Sequence, residues 1–173
     1  MSLSVLVLMG GWSAEREVSL VSGAAVVKAL AERGHKVTLF EREAETGGQV
    51  NIAAKAPWRV SIQGVQRWLD GQVRKLGVDI RTGTEAKADD VTALKPDVVI
   101  DMICFTLDSA CHIVEALRGR VQQFLHCGTI WAHGPSVQVP TVEAQPRHPF
   151  GEYGIQKAQI EAYLLDEARR NGF

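Results

Sequence analysis

Short apolar runs alternate with amphipathic segments along the whole chain, and this alternation constrains the fold more than any other feature. The first run covers residues 3–9 and has the composition of a parallel strand that is buried on both faces. Gly10 and Gly11 end this run, Ser13 can cap the helix that follows, and Gly34 stands where a helix C-terminal glycine belongs. A strand followed by a helix, repeated along the chain, predicts a parallel sheet with helices on both faces.

The same pattern predicts five strands and several helices. The later strands are expected at residues 36–41, 78–81, 97–102 and 121–127, and the later helices at residues 62–76, 88–94, 107–117 and 153–170. Residues 46–58 and 128–150 are expected to be loops. We therefore predict an α/β, doubly wound, three-layer Rossmann-like domain that spans residues 1–173. Its expected strand order is 3-2-1-4-5, and the flavodoxin-like order 2-1-3-4-5 is the alternative.

Composition narrows the class of partner. The formal net charge of -1 provides no basic field for nucleic acid, and no stretch approaches the ~20 apolar residues that span a bilayer. Cys104, Cys111 and Cys127 match neither a disulfide framework nor a zinc pattern. His126 and His133 also lack metal-ligand spacing. We therefore expect a soluble, cytoplasmic protein without a nucleic-acid partner, a membrane partner or a bound metal.

The first 40 residues or so carry the string GGWSAEREVSL at positions 10–20, followed by Ser22 and Gly23. This segment resembles the N-terminal domain of D-alanine–D-alanine ligase. In that family the glutamate that matches Glu15 helps to hold the amino group of a D-alanine. The ATP-binding domain of the ligases has no counterpart in this sequence, so the resemblance implies a shared fold and excludes ligation.

The middle segment, about residues 41–100, carries FERE at positions 40–43, GGQVN at 47–51 and LGVDI at 76–80. It resembles the nucleotide-binding domain of flavoprotein reductases related to dienoyl-CoA reductase and trimethylamine dehydrogenase. Those proteins have a glycine-rich dinucleotide loop after their own first strand. In this chain the ligase-like segment takes the place of that loop.

The last segment, about residues 101–173, carries FLHCGTIWAHG at positions 124–134 and YGIQK at 153–157. It resembles the extended short-chain dehydrogenase/reductases, which include the NAD-dependent epimerases. The two seams between segments fall in predicted strands, at residues 37–41 and 97–101. Laboratory recombination of Rossmann fragments is the explanation that we prefer for three resemblances in one chain, which would make it a designed chimera.

The reductase resemblance implies a set of catalytic residues. Tyr153 and Lys157 lie four residues apart on one predicted helix face, so both side chains can reach one ligand. In the family the tyrosine exchanges a proton with the substrate, and the lysine lowers its pKa and binds the nicotinamide ribose. Thr129 matches the residue that orients the substrate oxygen. We expect these three residues to be vestigial in this chain.

The turn after the first predicted strand is the reason why we expect these catalytic residues to be vestigial. A dinucleotide fingerprint needs G-x-G-x-x-G so that backbone can approach the pyrophosphate, and here Trp12 and Glu15 interrupt it. If a cofactor binds, Gly10, Gly11 and Ser13 would contact it. Glu41, at the end of the second strand, would then accept a hydrogen bond from a ribose hydroxyl. We expect no resident cofactor, with NAD or NADP as the alternative.

The sequence thus predicts a folded scaffold without intact parental activity. The alternative is an NAD(P)-binding domain, or a vestigial oxidoreductase or epimerase that uses Tyr153 and Lys157. The reductase resemblance also implies a homodimer through the helices at 107–117 and 153–170. Trp58 and Trp68 are expected to cover hydrophobic surface, and Gly64 and Gly71, inside a predicted helix, should each cost about 1 kcal/mol relative to Ala.

Overall fold

The computed structural model describes residues 2–10, 16–41, 43–47, 49–136 and 138–173. The strands in these ranges are β1 Ser4–Leu8, β2 Lys36–Phe40, β3 Asp79–Arg81, β4 Val98–Asp101 and β5 Gln123–His126. The α-helices are α1 Arg16–Glu32, α2 Gln49–Ala53, α3 Gln63–Lys75, α4 Ala88–Ala93, α5 Leu107–Leu117 and α6 Gly151–Asn171. Two 3-10 helices lie at Pro57–Ile62 and Ile130–Ala132.

The five strands form one sheet in the order β3-β2-β1-β4-β5, which confirms the Rossmann-like prediction and excludes the flavodoxin-like order. Strand β1 pairs in parallel with both β2 and β4, with Val5 opposite Val37 on one side and Val98 on the other. Strand β3 pairs in parallel with β2. The chain therefore reverses its direction of winding between β1 and β4, where ligands bind in doubly wound folds.

Contacts divide the chain into two compact units. The first unit is Met1–Ile103 with Arg120–Leu125, and the second is Cys104–Gly119 with His126–Phe173. The prediction of a single domain is not decided by this division and stays a prediction.

The core of the first unit consists of short aliphatic side chains from both sides of the first seam. Its buried members are Val5, Val7, Val27, Val37, Leu39, Val73, Val78 and Val98. Strands buried on both faces favour such β-branched residues because these pack well on a pleated surface. The ligase-like and flavoprotein-like segments therefore share one hydrophobic core.

The second unit is built on the packing of α5 against α6. Buried Cys104 and Ala110 contact Ile160, which is completely buried. Thr106 caps α5, since its side chain accepts a hydrogen bond from the Ser109 amide. At the far end of α6, Gly172 adopts the left-handed conformation that closes many helices.

The structure departs from the sequence prediction in the two expected loops. The segment 46–58 contains all of α2 and the start of a 3-10 helix, and the segment 128–150 contains the 3-10 helix Ile130–Ala132. These helices have three to six residues, which is too short for an apolar period to appear in the sequence. Among the described residues, no helix combines the length and the apolar character that crossing a membrane requires.

Candidate functional site

A cavity of about 960 Å³ opens at the carboxyl ends of β1 and β2, and all its lining residues belong to the first unit. Apolar side chains from the sheet and from α3 form much of its wall, among them Val7, Leu39 and Leu69. Its polar lining includes Glu41, Glu43, Glu45, Thr46, Asn51, Lys55, Gln66, Asp70 and Glu85. Cavities of this size and mixed lining are typical of small-molecule sites.

Glu41 is the most buried of these acids, with 7% of its surface exposed. It directly follows β2, and one carboxylate oxygen accepts a hydrogen bond from the Glu43 amide at 3.0 Å. Its backbone amide donates to the Arg81 carbonyl, and its carbonyl accepts from the Thr84 amide. The backbone of β2 and its neighbours thus fixes a carboxylate at the wall of the cavity.

The predicted glycine turn is described only in part. Gly10 lines the cavity with φ of 93°, a conformation that favours glycine, and its amide donates to Ser19 Oγ at 3.0 Å. Ser19 Oγ in turn donates to the Met102 carbonyl at 2.8 Å. The remaining predicted cofactor residues of this turn, Gly11 and Ser13, lie outside the described residues.

Gly23 shows how closely α1 approaches the end of β1. A Cβ atom added at Gly23 would lie 2.5 Å from the sulfur of Met9, closer than any real contact. The close approach of a helix to the first strand is also a requirement of dinucleotide-binding folds. In the sequence, Gly23 stands out only as part of the ligase-like motif, and nothing near it indicates this close approach.

A polar network that the sequence analysis missed lies along the wall of the same cavity. The amide nitrogens of Asn51 and Gln66 donate to the Thr46 carbonyl at 2.9 Å, and Thr46 Oγ1 donates to Asp70 at 2.8 Å. The hydrogen bond from Arg74 is the main cause that lowers the pKa of Asp70. These residues come from a loop, α2 and α3, so no local spacing in the sequence reveals them.

In the second unit, Lys157 is buried, with 2% of its surface exposed, and its side chain contacts two other segments of the chain. Its ammonium group donates to the Cys104 carbonyl at 2.8 Å and to the Cys127 carbonyl at 2.9 Å. The Nε2 atom of His126 lies 3.5 Å away. His126 is therefore a neighbour of a candidate catalytic residue, which its spacing in the sequence did not indicate.

An aromatic side chain connects the two members of the predicted pair. The Phe105 ring has Lys157 Nζ 4.7 Å from its centroid, and its centroid lies 5.9 Å from that of Tyr153. Thr129 caps the 3-10 helix Ile130–Ala132 by accepting a hydrogen bond from the Trp131 amide. The sequence resemblance had no means of finding Phe105, because it depends on how the loop after β4 folds.

At Gly154, helix α6 lies against the 3-10 helix that follows Thr129. A Cβ atom at Gly154 would lie 2.8 Å from the Trp131 carbonyl oxygen, so α6 and the 3-10 helix are in close backbone contact. Thr129, Tyr153 and Lys157 are thus held on neighbouring segments of one unit. Among the described residues, no group of three His, Cys, Asp or Glu side chains could hold a metal ion.

Comparisons with known proteins return the three families whose motifs the sequence carries. The chain is 42% identical over 90 residues to N,N-dimethylglycine/sarcosine dehydrogenase of Chromohalobacter salexigens, which covers 50% of this chain and 13% of the dehydrogenase. It is 52% identical over 52 residues to D-alanine--D-alanine ligase of Erythrobacter litoralis, covering 30% of this chain and 16% of the ligase. The chain thus spans a small part of each relative and combines fragments that resemble different families.

The fold as a whole is similar to that of a third group. UDP-glucose 4-epimerase from Brucella ovis, solved in complex with NAD, superposes on 100% of this chain and 50% of its own, with a TM-score of 0.66 and 16% identity. At that identity the likeness concerns the fold alone. Residues 21–173, however, match the NAD dependent epimerase/dehydratase family, which is most of the chain. The chain therefore belongs to the NAD dependent epimerase/dehydratase family.

Proposed function

We propose that the chain is a Rossmann scaffold that binds NAD through its first unit. The observation that carries the proposal is Glu41, a buried carboxylate at the end of β2 in the wall of a 960 Å³ cavity. A carboxylate at this place can accept hydrogen bonds from ribose hydroxyls in dinucleotide-binding folds. Family membership and the conformation of Gly10 support the same proposal.

The charges around the cavity favour NAD over NADP. Glu43, Glu45 and Glu85 line the cavity together with Glu41, whereas Lys55 is the cation among the described lining residues. A 2′-phosphate placed near Glu41 would meet carboxylates of the same charge. We therefore expect NAD to bind at least about tenfold more tightly than NADP.

The engineered origin is part of the proposal. Relatives in separate families each match a fragment of the chain, and the chain covers 13% of one and 16% of another. We infer that recombination joined these fragments and that no parental activity came with them intact. Such a chain would have been made as a folded scaffold.

A second candidate function is an oxidoreductase activity of the second unit. Lys157, fixed by two carbonyls and the Phe105 ring, supports it because a preorganised cation one helical turn after Tyr153 suits proton exchange. A bound nicotinamide would supply the hydride chemistry. Tyr153 would exchange a proton at its hydroxyl, Thr129 would orient the substrate oxygen, and Lys157 would hold positive charge on the next turn of the same helix.

Titration calorimetry with NAD, NADP, FAD and ATP tests the proposal. We expect NAD to bind, and Glu41→Gln to weaken its binding about tenfold or more through loss of a charge-assisted hydrogen bond. Glutamine can still accept the hydrogen bond from the Glu43 amide, so the loop is preserved. Glu45→Gln, a change at an exposed acid of the same lining, is the matched control and should change affinity less than about twofold.

Three outcomes of these measurements would decide between the NAD site, the role of Glu41 and the oxidoreductase activity. Absence of binding by all four ligands would refute the dinucleotide site and leave a folded scaffold. Binding that Glu41→Gln and Glu45→Gln affect equally would refute the role of Glu41. If NAD binds, an oxidoreductase screen with Tyr153→Phe as the inactive control tests the second candidate, and turnover that survives this substitution would rule out the tyrosine.

A further inference from the structure

Two side-chain amides in the wall of the cavity share one acceptor. Asn51 Nδ2 and Gln66 Nε2 both donate to the Thr46 carbonyl at 2.9 Å, although Asn51 belongs to α2 and Gln66 to α3. A carbonyl has no proton to donate, so only the NH2 side of each amide can face it. The amide oxygens, Asn51 Oδ1 and Gln66 Oε1, are therefore turned away from this carbonyl.

A chain of hydrogen bonds fixes the orientation of the Gln66 amide a second time. Arg74 donates to Asp70 at 2.7 Å, and this hydrogen bond lowers the pKa of Asp70, so the carboxylate is ionised and can only accept. The Thr46 hydroxyl must then donate to Asp70, which leaves its oxygen to accept from Gln66 Nε2 at 2.9 Å. A half-turn of this amide would place its oxygen against two oxygens of Thr46.

Gly47 leaves the space beside the two amides open. Its φ of 114° favours glycine, and an added Cβ atom would lie 2.5 Å from Gln66 Cγ and 2.9 Å from Asn51 Oδ1. Within the described part of the chain, no group donates a hydrogen bond to Asn51 Oδ1 or Gln66 Oε1. Both residues line the cavity, so its wall offers two oriented acceptors to a ligand.

The neighbouring lining shows which chemical group would suit these acceptors. Glu43 and Glu85 carry carboxylates, and Lys55 is the cation among the described lining residues, so a negatively charged group is disfavoured. Leu69, about one turn after Gln66 on α3, adds apolar surface. A primary amine on a flat, uncharged ring meets these conditions, because its two N–H bonds match two acceptors and its faces match apolar side chains.

We propose that Asn51 and Gln66 recognise the exocyclic amino group of a purine base, so that the site selects a 6-aminopurine against a 6-oxopurine. The inference rests on the proposed NAD site, in which Glu41 of the same cavity accepts from a ribose hydroxyl. The amino group donates one hydrogen bond to each amide oxygen. A carbonyl in its place brings an acceptor against two acceptors, and a site that is left without its polar partner binds such a ligand weakly.

Titration calorimetry with two pairs of ligands tests this selection. NAD is compared with its hypoxanthine analogue and adenosine with inosine, since a carbonyl replaces the amino group in each pair. We expect the amino member to bind at least about tenfold more tightly in both pairs. Asn51→Leu and Gln66→Met keep the approximate size of the side chain, and each should lower this ratio to about threefold or less with little change for the oxo member.

Gln63→Met is the matched control. Gln63 lies on the same helix as Gln66, its amide oxygen accepts from Arg67 at 3.0 Å, and it is not among the described residues that line the cavity. This variant should keep the full preference for the amino member. Circular dichroism confirms that each variant is folded.

The outcomes distinguish the base selection from the NAD site itself. Equal binding of both members of each pair would overturn the inference and leave the NAD site standing. Asn51→Leu and Gln66→Met variants that bind both members equally weakly would overturn it too, because the amides would then only hold the loop. A preference for adenosine without any binding of NAD would refute the NAD site alone, and no binding of either ligand would refute both.

Discussion

Tyr163, a half-buried residue of α6, shows how a single side chain affects stability at high pH. Burial raises its pKa to about 12, and its hydrogen bond with the Cys111 thiol adds to the effect. In an unfolded chain the phenol loses its proton near pH 10. Between pH 10 and about 12 the unfolded state therefore binds fewer protons than the folded state, so this contribution to stability is complete below pH 10 and is lost as the pH rises.

We predict that Tyr163→Phe removes this part of the pH dependence. Urea unfolding below pH 10 and between pH 10 and 12 measures it, and the fall in stability should be smaller in the variant. The chain has two tyrosines, so Tyr153→Phe is the natural control and should retain the fall. An unchanged pH dependence in Tyr163→Phe would assign the effect to another group.

The sequence resemblance implies catalytic roles for Thr129, Tyr153 and Lys157, which stay a prediction, but it does not reveal the residues that contact Lys157. Phe105 and the Cys104 carbonyl act on Lys157 from a position more than 50 residues away. Their role depends on the path of the loop after β4, which no periodicity in the sequence encodes. Glu41 could be proposed from the sequence because its place at the end of a strand is a local feature, and its role in binding stays a prediction.

At the scale of elements, the contact between α6 and the 3-10 helix Ile130–Ala132 depends on Gly154. A methyl group at this position would lie 2.8 Å from the Trp131 carbonyl oxygen, and backbone cannot move aside as a flexible side chain can. We predict that Gly154→Ala destabilises the protein by roughly 1–3 kcal/mol in urea unfolding.

Gly64→Ala is the matched control for this prediction. Nothing lies within 4 Å of the added methyl group, so the same substitution should stabilise the chain by up to about 1 kcal/mol. Both variants are compared at protein concentrations too low for self-association. Equal effects of the two substitutions would show that helix propensity, and not the contact with Trp131, governs position 154.

The regular elements were predictable because each has enough residues to show a period. The prediction for α5 matches the observed Leu107–Leu117, and the prediction for β2 extends one residue beyond the observed Lys36–Phe40. The short helices between residues 49 and 62 were not predicted, although they and α3 form part of the cavity wall. Short elements are fixed by tertiary contacts, so the sequence specifies the sheet better than it specifies the site.

At the scale of the whole molecule, the two seams differ in the structure that surrounds them. Residues 1–40 and 41–100 contribute to one buried cluster, in which Val27 and Leu39 are joined by Val73 and Val78. The second seam, at residues 97–101, lies next to the boundary between the two compact units after Ile103. Homodimerisation through α5 and α6 stays a prediction.

We predict that Val73→Ala destabilises the chain by roughly 2 kcal/mol, because it leaves a cavity in a core that joins two segments. Urea unfolding measures the change, and Val60→Ala is the control because Val60 is 55% exposed and should change stability by less than about 0.5 kcal/mol. A small effect at Val73 would mean that the two segments pack loosely against each other.

Strand β2, with Val37 and Leu39 buried, shows why fragments of separate ancestry can be joined at this place. The hydrogen bonds of a parallel sheet involve only backbone, and its faces accept any set of short aliphatic side chains. The loops after the strands, by contrast, carry the groups that recognise a ligand. A junction within a strand therefore preserves the scaffold, whereas the loops on its two sides resemble proteins of different families, so ligand affinity depends on how well those loops fit together.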